Sequence, residues 1–205
     1  MKGLKVLLFG MCMALCACSS QTSTVQTSDK GTRWQWENGT IVVETPERPA
    51  GQKSVIGLTL PKMEAVRVGF VGLGMRGPGA VERFTHIPGT QVVALCDYEQ
   101  ERAEQCQKYL EQASMPKAAV YSGEKGYEEL CKRDDIDLVY IAADWLHHFP
   151  VAKYALENGK HVAIEVPSAM NLQQCWDLIN MSEKYRKHCM ILENCCYDWF
   201  EMNTL

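Results

Sequence analysis

The sequence predicts an α/β fold built on a doubly wound parallel sheet, and three observations carry that expectation. An apolar, β-branched run at residues 66–71 leads into Gly72-Leu73-Gly74-Met75-Arg76-Gly77, after which Ala80, Val81 and Phe84 recur at helical intervals. Further short apolar runs then alternate with helical patterns down to residue 193. The second of these runs ends in a carboxylate, Asp97, 20 residues beyond Gly77. Strand, glycine turn with G-x-G-x-x-G spacing, helix and distant acid together form a dinucleotide-binding (Rossmann) fingerprint. Gly72 allows the tight turn and Gly74 lets backbone N–H groups approach a pyrophosphate. Gly77 lets the helix sit close on the strand, with its positive end toward the phosphates. Asp97 can accept hydrogen bonds from an adenosine ribose and repels a 2′-phosphate, and the next residue is Tyr98 rather than a compensating Arg. NAD is therefore expected as cofactor in preference to NADP.

Taken in order, the second strand is expected at residues 91–96 and a helix with a charged outer face at 100–113. A short third strand follows at 118–121 and a short helix at 127–132. Residues 137–142, DLVYIA, read as a strand buried on both faces. The next helix is placed at 148–158 and is stopped by Gly159, and a fifth strand covers 161–165. Asn171 is expected to cap the following helix, with Gln174 completing a capping box and Cys175, Trp176, Ile179 and Tyr185 turned inward. A sixth strand is expected at 189–193 and a new helix from residue 198. The resulting domain plan is a signal peptide at 1–17, a polar tether at 18–32, an arm at 33–65 and an NAD-binding domain at 66–197. Residues 198–205 would begin a second, substrate domain, which predicts a C-terminally truncated chain. Trp199 and Phe200 on that open side predict self-association as a homo-oligomer.

The N-terminus reads as a targeting segment. Lys2 and Lys5 precede a 12-residue apolar run at residues 6–17, too short to span a bilayer. The run closes in Leu15-Cys16-Ala17-Cys18, which resembles a bacterial lipobox and implies cleavage before Cys18 and lipidation of its thiol. An ordinary secretory signal cut nearby is the alternative; both take the mature protein out of the cytoplasm. Ser19 after Cys18 resembles sorting to the outer membrane, with the lipid as the only membrane contact. Residues 34–44, with Trp34, Trp36 and Ile41-Val42-Val43, suggest a strand or an arm, and 45–63 an extended lead-in with three prolines. Seven cysteines remain beyond the leader, with no C-x-x-C among them, so a disulfide framework is not expected. A net charge of −4 offers no basic surface for nucleic acid, and no Cys/His cluster points to a metal.

A family resemblance adds to this. Ala152-x-x-Ala155-Leu156-x-x-Gly159-Lys160-His161-Val162, followed by Glu165-x-Pro167, resembles the glucose–fructose oxidoreductase / inositol dehydrogenase superfamily. Its ordinary dehydrogenases carry Glu-Lys-Pro there, with the Lys in proton transfer. This chain has Val166, which transfers no proton. Val166, the Gly-x-Arg-Gly turn and Glu193-Asn194-x-Cys196-Tyr197 together resemble glycoside hydrolase family 109, NAD-dependent α-N-acetylgalactosaminidases. The resemblance places NAD contacts at Met75, Arg76, Asp97, Trp145, Leu146, His147, His148, Glu165, Val166 and Asn194. It also implies a reaction in which a hydride passes from the sugar's carbon 3 to NAD and the proton on carbon 2 is removed. The glycosidic oxygen then leaves by elimination, water adds, and the hydride returns, with retention of configuration. The substrate would be a glycan ending in N-acetylgalactosamine. The family's sugar-binding and catalytic Tyr and His residues are expected beyond position 205, so none is assigned.

The individual residues keep alternatives open. His148 either touches the cofactor or caps its helix, and His147 either faces the cofactor or solvent. Trp145 is either a core aromatic or a stacking group near the nicotinamide, and Asn194 either a ligand or a turn former. Tyr197 is read as packing on the interdomain helix, and His86, His161 and His188 as structural or surface residues. An NAD-dependent sugar dehydrogenase and a non-catalytic NAD-binding module are the other functional readings.

Overall fold

A computed structural model describes residues 25–27 and 33–204. The leader, Cys18 and most of the expected tether lie outside the described residues. The chain divides between Glu44 and Thr45 into two units. Residues 45–65, expected to go with the arm, therefore belong to the larger unit.

The smaller unit is an antiparallel sheet of β1 (Gln26–Thr27), β2 (Arg33–Glu37) and β3 (Thr40–Val43). Asn38-Gly39, at φ 50° and 80°, makes the two-residue turn between β2 and β3. Asn-Gly is the favoured pair for that turn because both positions need positive φ. Residues 34–44 are thus a hairpin rather than one strand.

In the larger unit, six parallel strands stand in the order β6-β5-β4-β7-β8-β9. They are β4 (Val66–Val71), β5 (Thr90–Asp97), β6 (Ala119–Ser122), β7 (Leu138–Ile141), β8 (His161–Ile164) and β9 (Cys189–Ile191). Helices α1 (Gly77–Phe84) and α2 (Gln100–Gln112) cover one face, packing Ala80, Val81, Ala103, Cys106 and Leu110 on Val68, Phe70 and Leu95. Helices α3 (Gly126–Cys131), α4 (Trp145–Glu157) and α5 (Leu172–Tyr185) cover the other, with Leu130, Val151, Leu156 and Leu178 on Val71, Ile141 and Ile164. Alternate residues of each strand feed opposite layers, as a sheet buried on both faces requires. The chain reverses direction of winding between β4 and β7, and the crevice of such a sheet lies there, beyond the strands' C-terminal ends.

Several element boundaries differ from expectation. Helix α4 begins at Trp145, three residues before the expected start, because the Asp144 side chain accepts from Leu146 N–H at 2.9 Å and caps it. Pro150 then stands inside the helix and deprives the Leu146 carbonyl of its partner; Leu146 is 72% exposed, so water can serve it. Asn171 does cap α5, accepting from Gln174 N–H at 3.0 Å, while Gln174 Oε1 accepts from Met170 N–H, one residue before the cap. The inward face of α5 is Leu178, Ser182 and Glu183. Ile179 is exposed, and Cys175, Trp176 and Tyr185 are half-buried, because the core takes the Leu178–Ser182 face of α5; its last turns also meet the lead-in. Arg48 donates to both oxygens of the buried Glu183 at 2.8 and 3.1 Å, and Gln52 reaches Asn180 and Glu183. Those bonds hold the Glu183 carboxyl below the usual carboxylate range. The sixth strand stops at Ile191, and a 3-10 turn (Asn194–Tyr197) leads to the short α6 (Trp199–Met202).

The seven described cysteines are free. Burial pushes the thiols of Cys96, Cys131 and Cys189 up to about 12, so they serve as small apolar groups. Among the described residues no helix is long and apolar enough to cross a membrane.

Candidate cofactor crevice

The glycine turn joins β4 to α1 at the head of the crevice. Gly72 has φ 92°, and a Cβ there would stand 2.3 Å from the Ala143 backbone nitrogen, so β4 and the segment after β7 touch through this glycine. A Cβ on Gly77 would lie 2.0 Å from the Gly72 carbonyl oxygen, so this glycine lets the helix close onto the turn. Gly74 differs: its place for a Cβ is open except for Arg102 Nη1 at 3.7 Å, and Gly74, Met75 and Arg76 are exposed. That open backbone at the start of α1 is the cradle a pyrophosphate needs.

Asp97, at the end of β5, is 6% exposed. Its Oδ2 accepts from Leu73 N–H at 2.6 Å and its Oδ1 from Glu99 N–H at 3.0 Å. The acid thus ties the glycine turn to β5 while lying beside it. Position 98 holds no compensating cation, but Arg102 does: its Nη1 is 3.7 Å from Asp97 Oδ1 and its Nε 3.3 Å from Glu99 Oε2.

Beyond β7, Trp145, Leu146 and His147 form the first turn of α4 and are exposed. His147 Nδ1 lies 2.5 Å from Asp144 Oδ2. Trp145 is therefore no core aromatic; at 60% exposure it is open for stacking. His148 does not cap the helix. It is 1% exposed, with Nδ1 2.7 Å from the Pro167 carbonyl and Nε2 2.8 Å from the Ala143 carbonyl. Its ring N–H donates to one of these two carbonyls and the other nitrogen faces the second, so the buried His148 ring lies between the segments after β7 and β8. Glu165 follows β8, and its Oε1 accepts from the Tyr140 hydroxyl at 2.8 Å. Val166 is joined to Pro167 by a cis peptide bond. Asn194 is exposed in the 3-10 turn after β9, its Nδ2 3.9 Å from Cys195 Sγ. The cofactor residues named from sequence thus all fall at or beyond strand C-terminal ends. Arg102, Tyr140 and Asp144 were missed. Arg102 could have been found five residues after Asp97 across a helix start, and Asp144 as an Asp just before an apolar helical run.

The profile described as "Oxidoreductase family, NAD-binding Rossmann fold" matches residues 66–193. Over the whole chain, the sequence is 80% identical to glycosyl hydrolase family 109 protein 4 of Phocaeicola vulgatus, covering 40% of that protein. It is 59% identical to glycosyl hydrolase family 109 protein 1 of Bacteroides thetaiotaomicron, over 98% of this chain and 42% of that protein. The chain belongs to glycosyl hydrolase family 109, within the NAD-binding oxidoreductase superfamily. Family 109 proteins of this kind are longer: the chain spans about 40% of the length of the curated relatives it matches. Among solved structures, myo-inositol dehydrogenase from Lactobacillus casei is similar in fold, with TM-score 0.58 and 24% identity over 68% of this chain and 42% of that one. NAD is the cofactor of this family 109 domain, and the open cradle at Gly74 fits it.

Proposed function

We propose that this chain is the cofactor-binding part of a glycosidase that removes terminal α-linked N-acetylgalactosamine from glycans. The observation that carries the reading is the 80% and 59% identity to family 109 proteins over 100% and 98% of the chain. NAD, when bound, supplies a reversible hydride acceptor for the sugar's carbon 3. The chain's own residues bind and orient it. Gly72, Gly74, Met75, Arg76 and Gly77 cradle the pyrophosphate, Asp97 faces the adenosine ribose, and Trp145 to His147, Glu165, Val166 and Asn194 frame the nicotinamide side. His148 holds two of those segments in register. Val166 supports the glycosidase over a dehydrogenase, because a valine relays no proton to the cofactor side of the sugar.

The deciding experiment offers the purified protein a chromogenic α-N-acetylgalactosaminide and, separately, free sugars with NAD. Release of the chromophore without net NADH accumulation is expected of the protein carrying the rest of the family 109 sequence. Net NADH from a free sugar would instead identify a dehydrogenase. As part of the same reading, the mature protein is exported and anchored by a lipid on Cys18, facing its glycan substrate outside the cytoplasm.

A further inference from the structure

We propose that Arg102 reads the 2′ position of the cofactor's adenosine ribose and gives this domain a measurable affinity for 2′-phosphorylated dinucleotide beside NAD. The inference rests on the NAD-binding reading of the crevice. Arg102 is the third residue of α2, and its guanidinium spans the two features that flank an adenosine in this fold. Its Nη1 is 3.7 Å from Asp97 Oδ1 and 3.7 Å from the place a Cβ on Gly74 would take. Its Nε is 3.3 Å from Glu99 Oε2. Both charge contacts are longer than the roughly 2.7–2.9 Å of a formed charge-assisted hydrogen bond. Five N–H donors on a half-exposed side chain are therefore largely unspent and can turn toward a ligand.

Asp97 is in the opposite condition. Both of its oxygens accept backbone N–H bonds inside the protein, and it is almost fully buried. A ribose hydroxyl can still reach a remaining lone pair, but the acid is not a free exposed charge confronting a phosphate. Beside the buried acid stands the half-exposed Arg102 fork, whose planar donors match phosphate oxygens, with the more exposed Glu99 carboxylate next to it. Asp97 and Glu99 outnumber it, so NAD remains the better ligand. Without Arg102, the 2′ side would carry negative charge alone.

Titration of the purified chain with NAD and with NADP, followed by calorimetry or tryptophan fluorescence, tests this. Wild type should bind NAD more tightly and NADP measurably. Arg102→Gln should weaken NADP about tenfold and NAD by less than about threefold, the loss of one charge-assisted contact. Glu99→Gln, which releases the guanidinium, should strengthen NADP selectively, and Arg102→Lys should fall between wild type and the Gln variant. Equal loss for both cofactors in Arg102→Gln, no change in either, or no NADP binding by wild type would each overturn the assignment. Wild type that binds neither dinucleotide would overturn the NAD reading together with it. An unchanged circular dichroism spectrum establishes that the exposed substitution has left the fold intact.

Discussion

The backbone N–H of Leu73 donates to Oδ2 of Asp97 at 2.6 Å, joining the glycine turn to a strand end 24 residues away. The acid that the sequence marks for the ribose therefore also fixes the shape of the phosphate cradle. Two jobs on one carboxylate make its substitutions informative. Asp97→Ala leaves the N–H of the buried Leu73 without an acceptor, at a cost of about 1–3 kcal/mol. Asp97→Asn keeps one acceptor and removes the charge. Urea unfolding should show a clearly lower midpoint for the Ala variant and a smaller loss for Asn. Cofactor titration of Asn should show narrower discrimination between NAD and NADP. A stable Ala variant with wild-type discrimination would remove Asp97 from both roles.

The three glycines of the turn should separate by experiment. A Cβ on Gly77 would be 2.0 Å from a backbone carbonyl that cannot move without opening the turn. Gly77→Ala is expected to destabilise by roughly 3 kcal/mol or more, in the range of severe overpacking. Gly74→Ala meets nothing nearer than Arg102 Nη1 at 3.7 Å, so the chain should fold with nearly unchanged stability. Its methyl would occupy the approach of a pyrophosphate, and NAD affinity should fall at least about tenfold. Thermal unfolding and NAD titration on the same two variants suffice. Loss of binding in neither, or of folding in Gly74→Ala, contradicts the division.

Much of this was legible in residue order. The strand–turn–helix at 66–84 and the alternation of apolar runs with helical patterns predict six strands and their succession, and Gly159 marks the end of α4. What escaped was interaction across sequence distance. The start of α4 depended on an Asp144 side chain bonding back to its own helix, and the exposure of Ile179 on which face of α5 the core took. The start of α2 brings Arg102, five residues on, back beside Asp97, a proximity that adjacency in sequence does not reveal. For His148 residue order leaves a cofactor contact and a helix cap both open, and the two carbonyls facing its ring come from segments that sequence does not place together.

Cys18 lies outside the described residues and is testable in cells. Labelling with a palmitate analogue should mark the expressed protein and leave Cys18→Ser unmarked, with the Ser variant lost from the membrane fraction. A mature N-terminus beginning at another residue, free of lipid, would replace the lipoprotein reading with a plain secretory one.

Tyr140 offers a test of Glu165. The Tyr140 ring is 5% exposed and stacks on Phe70 with centroids 5.0 Å apart, and its hydroxyl donates to Glu165 at 2.8 Å. Burial, and then that bond, push the phenol up to about 12. The folded pKa is raised above the ordinary value of about 10, so the contribution to stability is complete below pH 10 and is lost as pH rises toward about 12. Tyr140→Phe keeps the stacked ring and removes only the donor. It should abolish that alkaline loss of stability while leaving the neutral-pH unfolding free energy within about 1–2 kcal/mol of wild type, the worth of one hydrogen bond. Glu165, half-buried at the end of β8, would then be free to leave the crevice. If its carboxylate helps to place the nicotinamide half, NAD affinity should drop about three- to tenfold, which is the effect of one lost positioning contact. Unchanged NAD affinity in a variant that has lost the alkaline transition would show that Glu165 is held by Tyr140 for the sheet's sake alone.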